Sequence, residues 1–281
     1  MIVDIVFWIN IILGILVFIP SIVLMNYYRI SNIQDFQLFS MFFIIASLGL
    51  IFGSLASFYG ILIFYKLHWW AYNIGFLLLF IYTMRIHWSS PPILLRFSGY
   101  MWFGLNIILI GFWEEMIQPS RSRVLWFEMN RSFSSYYPSG AGIIVNGSII
   151  YSSAYHILSD FLFIGVSLLL TYSHIKIVPV KKTSRVETAR KIWIIASFLL
   201  AVAWILTLPL SGFMMFSKYI VMVSALMVLY INIKIPEAVL ISQYQIARVI
   251  ELYKVIKIED NYPKYYSIRS LKRYIESVSN E

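Results

Sequence analysis

Residues 38–65 read LFSMFFIIASLGLIFGSLASFYGILIFY, an apolar run without a charged residue. A helix needs about 17 to 25 apolar residues to cross the hydrocarbon core of a bilayer, so this run is long enough to span one. A helix also satisfies its own backbone hydrogen bonds in lipid, and the run lacks the alternation of a barrel strand. The stretch therefore predicts a transmembrane helix.

The whole chain has the composition of an integral membrane protein. Of its 281 residues, 60% are apolar and 12% are charged, whereas soluble domains average about 25% charged residues. Six further apolar stretches are Ile2 to Met25, Trp69 to Met84, Phe97 to Ile117, Ile149 to Ile175, Ile192 to Phe216 and Tyr219 to Ile235. We therefore predict an all-α bundle of seven transmembrane helices over residues 1–235, followed by a cytoplasmic tail over residues 236–281.

Lysine and arginine are distributed unevenly between the two sides of this predicted bundle. One side carries Arg29, Arg85, Arg96, the basic loop 176–191 and the tail; the other carries Lys66, Arg121, Arg123, Arg131 and Lys218. Basic residues concentrate on the cytoplasmic side of membrane proteins, which predicts an external N-terminus and a cytoplasmic C-terminus in a cell membrane. The net charge of +9 is then a topology signal, so we expect membrane lipid as a partner and no nucleic acid.

The residue inventory excludes several kinds of chemistry. The chain has no cysteine, which rules out disulfides, thiolate metal sites and iron–sulfur clusters. It also lacks a Gly-rich phosphate loop, a nucleophile elbow and an HExxH pattern. We therefore expect no resident cofactor and no enzyme activity.

Small and polar residues within the predicted helices indicate how those helices pack. Gly49, Gly53 and Ser57 recur at four-residue spacing and predict a close approach to the second helix. Three amides lie inside the first, third and fourth stretches, and we interpret them as interhelical contacts before ligand contacts; they are Asn10, Asn73 and Asn106. Pro209 predicts a kink in the sixth helix.

The longest connection, Gln118 to Ser148, lies on the predicted outer side. Its end reads GIIVNGSIIY over residues 142–151, where two β-favouring runs flank Asn146-Gly147. That pattern predicts a small β-hairpin between helices 4 and 5; alternatively, Ile149 begins the fifth helix. Asn130 and Asn146 begin tripeptides of the N-glycosylation pattern.

Four ionisable residues near the outer ends of helices 4 and 5 are candidate ligand-binding residues. Glu114 and Glu115 close the fourth stretch, and His156 and Asp160 are four residues apart in the fifth. A carboxylate inside a membrane is costly, which makes such residues functional candidates. They could bind a cation or a cationic ligand, or relay a proton. In the structural alternative the glutamates lie among headgroups and His156 pairs with Asp160.

The four histidines permit a rival hypothesis, a two-haem electron carrier. His68 and His87 lie on the third helix, and His156 and His174 on the fifth. Their spacings imply separations of about 27 to 28 Å along each helix, which puts all four near the interfaces and disfavours haem in the core.

A family resemblance combines several of these features. They are the tryptophan-led third stretch, the approach to a fifth stretch with Tyr155-His156, the basic loop through Arg190, Leu208-Pro209 in the sixth stretch and the short seventh stretch. In this order the chain resembles the N-terminal seven-transmembrane sensor region of histidine kinases. The resemblance covers residues 1–235 and implies a receptor module without the kinase domain. It implies no catalytic residue in this chain.

The tail predicts an amphipathic helix that begins at Pro236 and runs to about Ile258. Val239, Ile246, Val249, Tyr253 and Ile256 fall on one stripe, which could dock a partner, pair two copies or lie on the membrane. The leading hypothesis is thus a sensor that acts on a separate cytoplasmic signalling protein through the basic loop and tail, with a homodimer as one possible form. An ion-coupled carrier that uses Asp160 is the second hypothesis, and the haem carrier is the third.

Overall fold

The structure is a computed structural model that describes residues 2–59, 62–88, 91–111, 125–129, 132–136, 143–145, 148–150, 153–176, 184–207, 214–234 and 239–241. Over these residues the architecture is helical, with seven α-helices. They are α1 (Ile2–Ser31), α2 (Gln34–Tyr59), α3 (Leu62–His87), α4 (Ile93–Gly111), α5 (Ser153–Lys176), α6 (Ser184–Thr207) and α7 (Met214–Lys234).

Two short antiparallel strand pairs lie between α4 and α5. They are β1 (Leu125–Met129) with β2 (Ser132–Tyr136), and β3 (Ile143–Val145) with β4 (Ser148–Ile150). Val145 is opposite Ser148 in the second pair, whereas the predicted turn residues Asn146 and Gly147 lie outside the described residues. The helix α5 begins at Ser153 and not at the predicted Ile149.

Five of the seven helices are long and apolar enough to cross a membrane, namely α1, α2, α4, α5 and α6. Their outward faces carry exposed large apolar side chains, such as Ile15 of α1, Phe161 of α5 and Phe198 of α6. Large exposed apolar surface is rare on soluble proteins but is expected where a bundle contacts lipid. The chain therefore has the helices of a membrane protein.

Six of the helices form a closed ring. Going around it, α1 packs against α2, α2 against α3, α3 against α5, α5 against α6, α6 against α7, and α7 returns to α1. Neighbours α3 and α5 run parallel, because Trp69 contacts Phe163 while His87 further along α3 contacts Ser173 further along α5. The ring thus surrounds a common interior.

A line of serines holds α2 against α1. The hydroxyls of Ser40, Ser47 and Ser54 donate hydrogen bonds to the backbone carbonyls of Ser21, Gly14 and Phe7, at 2.8, 2.7 and 3.1 Å. Donors and acceptors both recur every seven residues, which keeps them on one seam of each helix. Small hydroxyl residues allow close packing and supply interhelical hydrogen bonds in an apolar environment.

Glycines bring α3 equally close to the other side of α2, as predicted. A Cβ added at Gly53 would lie 2.6 Å from Nδ1 of His68, and one at Gly49 would lie 3.0 Å from Cδ1 of Tyr72. A side chain at Gly53 would therefore force His68 to move, whereas one at Gly49 would make a tight contact with Tyr72. The prediction of a close approach at Gly49 and Gly53 is confirmed, while the side chain of Ser57 is outside the described residues.

The fourth helix stands outside the ring and packs mainly against α3. Three contacts along its length attach it. Trp70 Nε1 donates to the carbonyl of Ile107 at 2.9 Å, Lys66 Nζ donates to that of Gly111 at 3.2 Å, and the ring of Phe80 fills the space beside Gly99. Its remaining faces are largely exposed.

The structure corrects the predicted boundary between the second and third helices. We expected the second helix to reach Tyr65 and the third to begin at Trp69, because Lys66 interrupts the apolar run. Instead α3 begins at Leu62 and contains Lys66 as a buried residue. The ammonium group is accommodated because the C-terminal end of α4, where helix carbonyls lack partners, accepts its hydrogen bond.

The predicted sixth helix, Ile192 to Phe216, is also wrong at both ends. The helix α6 runs from Ser184 to Thr207 and ends two residues before Pro209, so it contains no proline kink. The residue before a proline disfavours the helical conformation, which accounts for the early end. Pro209 itself lies outside the described residues.

The beginning of the tail differs from the predicted amphipathic helix. Val239, Leu240 and Ile241 are not helical, and all three are buried in the hydrophobic core of the bundle. Their side chains gain more from burial together than from placement on one helical stripe. The rest of the predicted tail helix lies outside the described residues.

Candidate functional site

A cavity of about 220 Å³ lies inside the ring. All six ring helices line it, with for example Leu13 of α1, Phe42 of α2, Trp69 of α3, Leu170 of α5, Ala196 of α6 and Val228 of α7. Of the lining residues that the structure describes, none comes from α4. A concave, mostly apolar pocket between helices of a bundle is a common kind of small-molecule site.

Aromatic rings form much of the cavity wall. Tyr72 and Phe76 of α3 each meet the indole of Trp204 edge to face, with ring centroids 5.6 Å apart in both pairs. The rings of Phe39 and Trp193 are also in contact on the wall, with their centroids 5.3 Å apart. These rings pack against one another, so the wall is held in one shape by its own contacts.

His68 lies on this wall with a defined orientation. Its Nδ1 is 2.6 Å from the backbone carbonyl oxygen of Gly49, which can only accept, so Nδ1 must carry the proton and donate. In the neutral ring, the other nitrogen, Nε2, is then a hydrogen-bond acceptor. An edge-to-face contact with Tyr72, with ring centroids 4.4 Å apart, further restrains the imidazole.

The polar groups of the cavity are unevenly placed along its length. We call the end of the bundle that holds Val239–Ile241 the tail end, and the opposite end the far end. Asn10, His68 and Ser217 line the part of the cavity toward the far end. Toward the tail end, the hydroxyls of Ser197 and Ser224 donate to the carbonyls of their own or the neighbouring helix. The cavity is therefore more polar at its far end.

A fully buried tyrosine and the tail segment lie at the tail end, next to the cavity wall. Tyr82 stacks on Phe39 with a centroid distance of 4.5 Å and an interplanar angle of 7°. Its hydroxyl donates a hydrogen bond to the carbonyl of Leu240 at 3.0 Å. Phe39 itself lines the cavity, so a single ring separates the cavity wall from the tail segment.

An ion pair lies at the same end of the bundle. The carboxylate of Asp35, which is fully buried in the first turn of α2, is 3.0 Å from Nε of Arg85 in the last turn of α3. Arg85 also donates to the side-chain oxygen of Gln34 at 3.1 Å. These contacts join the start of α2 to the end of α3, since a buried carboxylate requires a charged or hydrogen-bonding partner.

The predicted site residues are distributed as follows. Glu114 and Glu115 lie outside the described residues, and His156 belongs to α5 but its side chain is not described. Asp160 is fully buried in α5, as expected for a carboxylate that must avoid lipid, yet it is not among the residues that line the cavity.

The remaining histidines make structural contacts near the tail end. His174 donates from Nδ1 to the carbonyl of Leu170 at 2.9 Å and stacks against Trp193, while Nδ1 of His87 is 3.3 Å from the hydroxyl of Ser173. Within the described residues, no group of three or more His, Asp or Glu side chains could hold a metal ion.

Comparisons of the chain with protein-family models, with curated proteins and with solved structures found no match.

The central cavity was missed in the sequence because its wall comes from six separate helices. Asn10 was interpreted as a packing residue, whereas it lines the cavity. One signal was available: Trp204 lies in the middle of the predicted sixth stretch and not at its end, where tryptophan usually meets the membrane interface.

Proposed function

We propose that the chain is a receptor-like sensor of a cell membrane, which detects occupancy of its central cavity and relays it to a separate cytoplasmic protein. In this proposal α3 and α7 complete seven spans, the N-terminus is external and the C-terminus is cytoplasmic. The basic loop 176–191 and the tail 236–281 face the partner, and the connection between α4 and α5, with its strand pairs, faces outward. This is the arrangement expected from the resemblance to histidine-kinase sensor regions.

The observation that carries the proposal is the path from Phe39 through Tyr82 to Leu240. Phe39 lines the cavity, Tyr82 stacks on it, and the Tyr82 hydroxyl holds the backbone of the tail segment. A ligand that displaces the Phe39 ring must also disturb Tyr82, because packed interiors do not absorb such shifts without moving a neighbour. The tail segment is therefore where occupancy of the cavity would be read.

The ion pair between Asp35 and Arg85 supports the same proposal, since it holds together the helix ends next to Phe39 and Tyr82. Asp35 precedes Phe39 by one helical turn, and Arg85 follows Tyr82 by nearly one turn. The two rings are thus held between helix ends that are locked together. Movement of the rings would then act on the tail segment and not on the spacing of α2 and α3.

Replacement of Tyr82 by phenylalanine tests the relay. The Tyr82→Phe variant keeps the stacked ring but removes the donor to Leu240, and one lost hydrogen bond costs about 0.5–1.5 kcal/mol. We expect hydrogen exchange of the peptide that contains Val239–Ile241 to accelerate about two- to tenfold in detergent micelles. The matched control is Tyr100→Phe on the exposed face of α4, which should leave this exchange unchanged. Equal exchange in wild type and Tyr82→Phe would contradict the relay.

A carrier remains the second candidate, because a fully buried carboxylate, Asp160, lies within a helix that can cross the membrane. Intramembrane carboxylates are common in proton-coupled transport. Proteoliposomes with an imposed pH gradient distinguish the two functions: a carrier takes up protons in a manner abolished by Asp160→Asn, whereas a sensor shows no such flux. The haem carrier, the third candidate, predicts a Soret band in the purified protein.

A further inference from the structure

The chemistry of the cavity wall restricts the charge of what can bind there. Among the described residues that line the cavity there is no Asp, Glu, Lys or Arg. A charged molecule would lose its hydration in this cavity without gaining an ionic partner, which is strongly unfavourable. The cavity therefore selects uncharged molecules.

The size of the cavity restricts the ligand further. A dry cavity of about 150 Å³ between apolar side chains admits benzene. At about 220 Å³, this cavity accommodates one substituted ring or two fused rings. Sites for drug-sized molecules begin at about 300 Å³, so the volume of this cavity matches a ligand smaller than these molecules.

The aromatic wall and the polar far end define the shape and polarity of the ligand. Trp69, Tyr72, Phe76 and Trp204 surround the cavity with ring faces and edges, and aromatic rings favour offset or edge-to-face contact with another ring. Hydrogen-bonding side chains are concentrated toward the far end. A flat molecule with an apolar body and one polar group at its edge matches both features.

We infer that the central cavity is a binding site for a small, uncharged aromatic molecule of one or two rings with a single polar group, of the class of indoles and phenols. The inference rests on the proposed sensor function and names the ligand class of that site. The aromatic ring of the ligand lies among the tryptophans and phenylalanines of the cavity, and its polar group points toward the far end. The bound ligand contacts Phe39, and a shift of Phe39 displaces Tyr82.

The test uses the purified full chain in detergent with three probes, and calorimetric melting as the readout because it is independent of probe fluorescence. Indole should raise the melting temperature saturably, since a ligand that binds only the folded state stabilises it. Benzoate, which matches indole in size but carries a negative charge, should bind about 100-fold more weakly or worse. Decane tests whether an aliphatic chain fits as well.

Cavity-filling variants separate binding from partition into the micelle. Ala203→Leu places three more carbon atoms in the cavity wall and should weaken indole binding about tenfold or more. Gly165→Leu is the matched control, because Gly165 is exposed on α5 with no atom within 4 Å of an added Cβ. If Ala203→Leu does not fold, Ala196→Leu is the alternative variant. It fills the cavity wall from a position on α6 about two helical turns closer to the tail end.

The outcomes distinguish this inference from the sensor function. Equal stabilisation by decane and indole, or undiminished indole binding in both filled variants, would overturn the ligand class. Selective indole binding that is lost in the filled variants supports it. If indole binds selectively but leaves exchange at Val239–Ile241 unchanged, the ligand class stands and the proposed relay fails.

Discussion

Replacement of Gly53 by alanine is the sharpest test of how α2 and α3 form the cavity wall. The new Cβ would lie 2.6 Å from Nδ1 and 2.7 Å from Cε1 of His68, closer than atoms can approach without a shift. The His68 ring must therefore move, and its hydrogen bond to the carbonyl of Gly49 must break or lengthen.

The expected cost follows from three contributions. Overpacking of a dense interior costs about 1–3 kcal/mol, and loss of one hydrogen bond costs about 0.5–1.5 kcal/mol. The change from glycine to alanine within a helix returns about 1 kcal/mol. We therefore expect Gly53→Ala to lower the free energy of unfolding by about 2 kcal/mol.

Gly75→Ala is the matched control, since it lies on the same α2–α3 interface. An added Cβ there would be 3.7 Å from its nearest neighbours, Phe42 and Ile45, which is ordinary contact. Only the helix-propensity gain remains, so Gly75→Ala should be neutral or stabilising by up to about 1 kcal/mol.

Thermal unfolding in detergent, followed by the intrinsic fluorescence of the nine tryptophans, measures both variants. The difference of about 2–3 kcal/mol corresponds to roughly 5 °C or more in melting temperature, on the scale of domains of this size. Gly53→Ala should also weaken any ligand stabilisation, because His68 lines the cavity. If Gly53→Ala melts within 1 °C of Gly75→Ala, the close packing of His68 against α2 is refuted.

Five other substitutions test separate parts of the structure. Asp35→Asn should lower the free energy of unfolding by about 2 kcal/mol in the same melting assay. Breaking a fully buried ion pair costs more than this, but solvent partly screens the partner Arg85. Glu187→Gln removes a partly exposed pair with Arg190, three residues along the same helix, and should change the melting temperature little. Ser47→Ala removes the central bond of the serine seam and should cost about 0.6 kcal/mol; a loss above 2 kcal/mol would mean that the helices rearrange. Because the chain has no cysteine, Thr188→Cys and Ser139→Cys report sidedness: in intact cells a membrane-impermeant maleimide should label only Ser139→Cys, and the reverse pattern would invert the topology.

The sequence predicted the helical class because composition and long apolar runs depend only on the membrane environment. The helix boundaries were harder to predict, since a charged residue such as Lys66 interrupts an apolar stretch and was therefore placed between two helices. Its long stem lies in α3 while its ammonium group reaches the end of α4, and this partner is 45 residues away in the chain. Charge compensation across a tertiary contact leaves no local signal.

The candidate site was less predictable for a related reason. The sequence indicated a site at Asp160 and its neighbours, because a carboxylate within an apolar run is unusual. The cavity instead consists of ordinary apolar and aromatic residues, such as Phe39 and Trp204, whose importance depends on their convergence. The same holds for Val239, which was placed on the apolar stripe of a predicted tail helix, whereas it packs into the bundle together with Leu240 and Ile241.

The position of α4 outside the ring follows from the direction of its neighbours in the chain. The helices α3 and α5 run parallel, so the chain between them must run back along the bundle, and the apolar helix α4 lies antiparallel to α3 on that return path. None of the described residues that line the cavity comes from α4. In the seven-span arrangement proposed above, this detached helix makes the number of crossings odd, so the proposed sensor would have its N-terminus and its tail on opposite faces of the membrane.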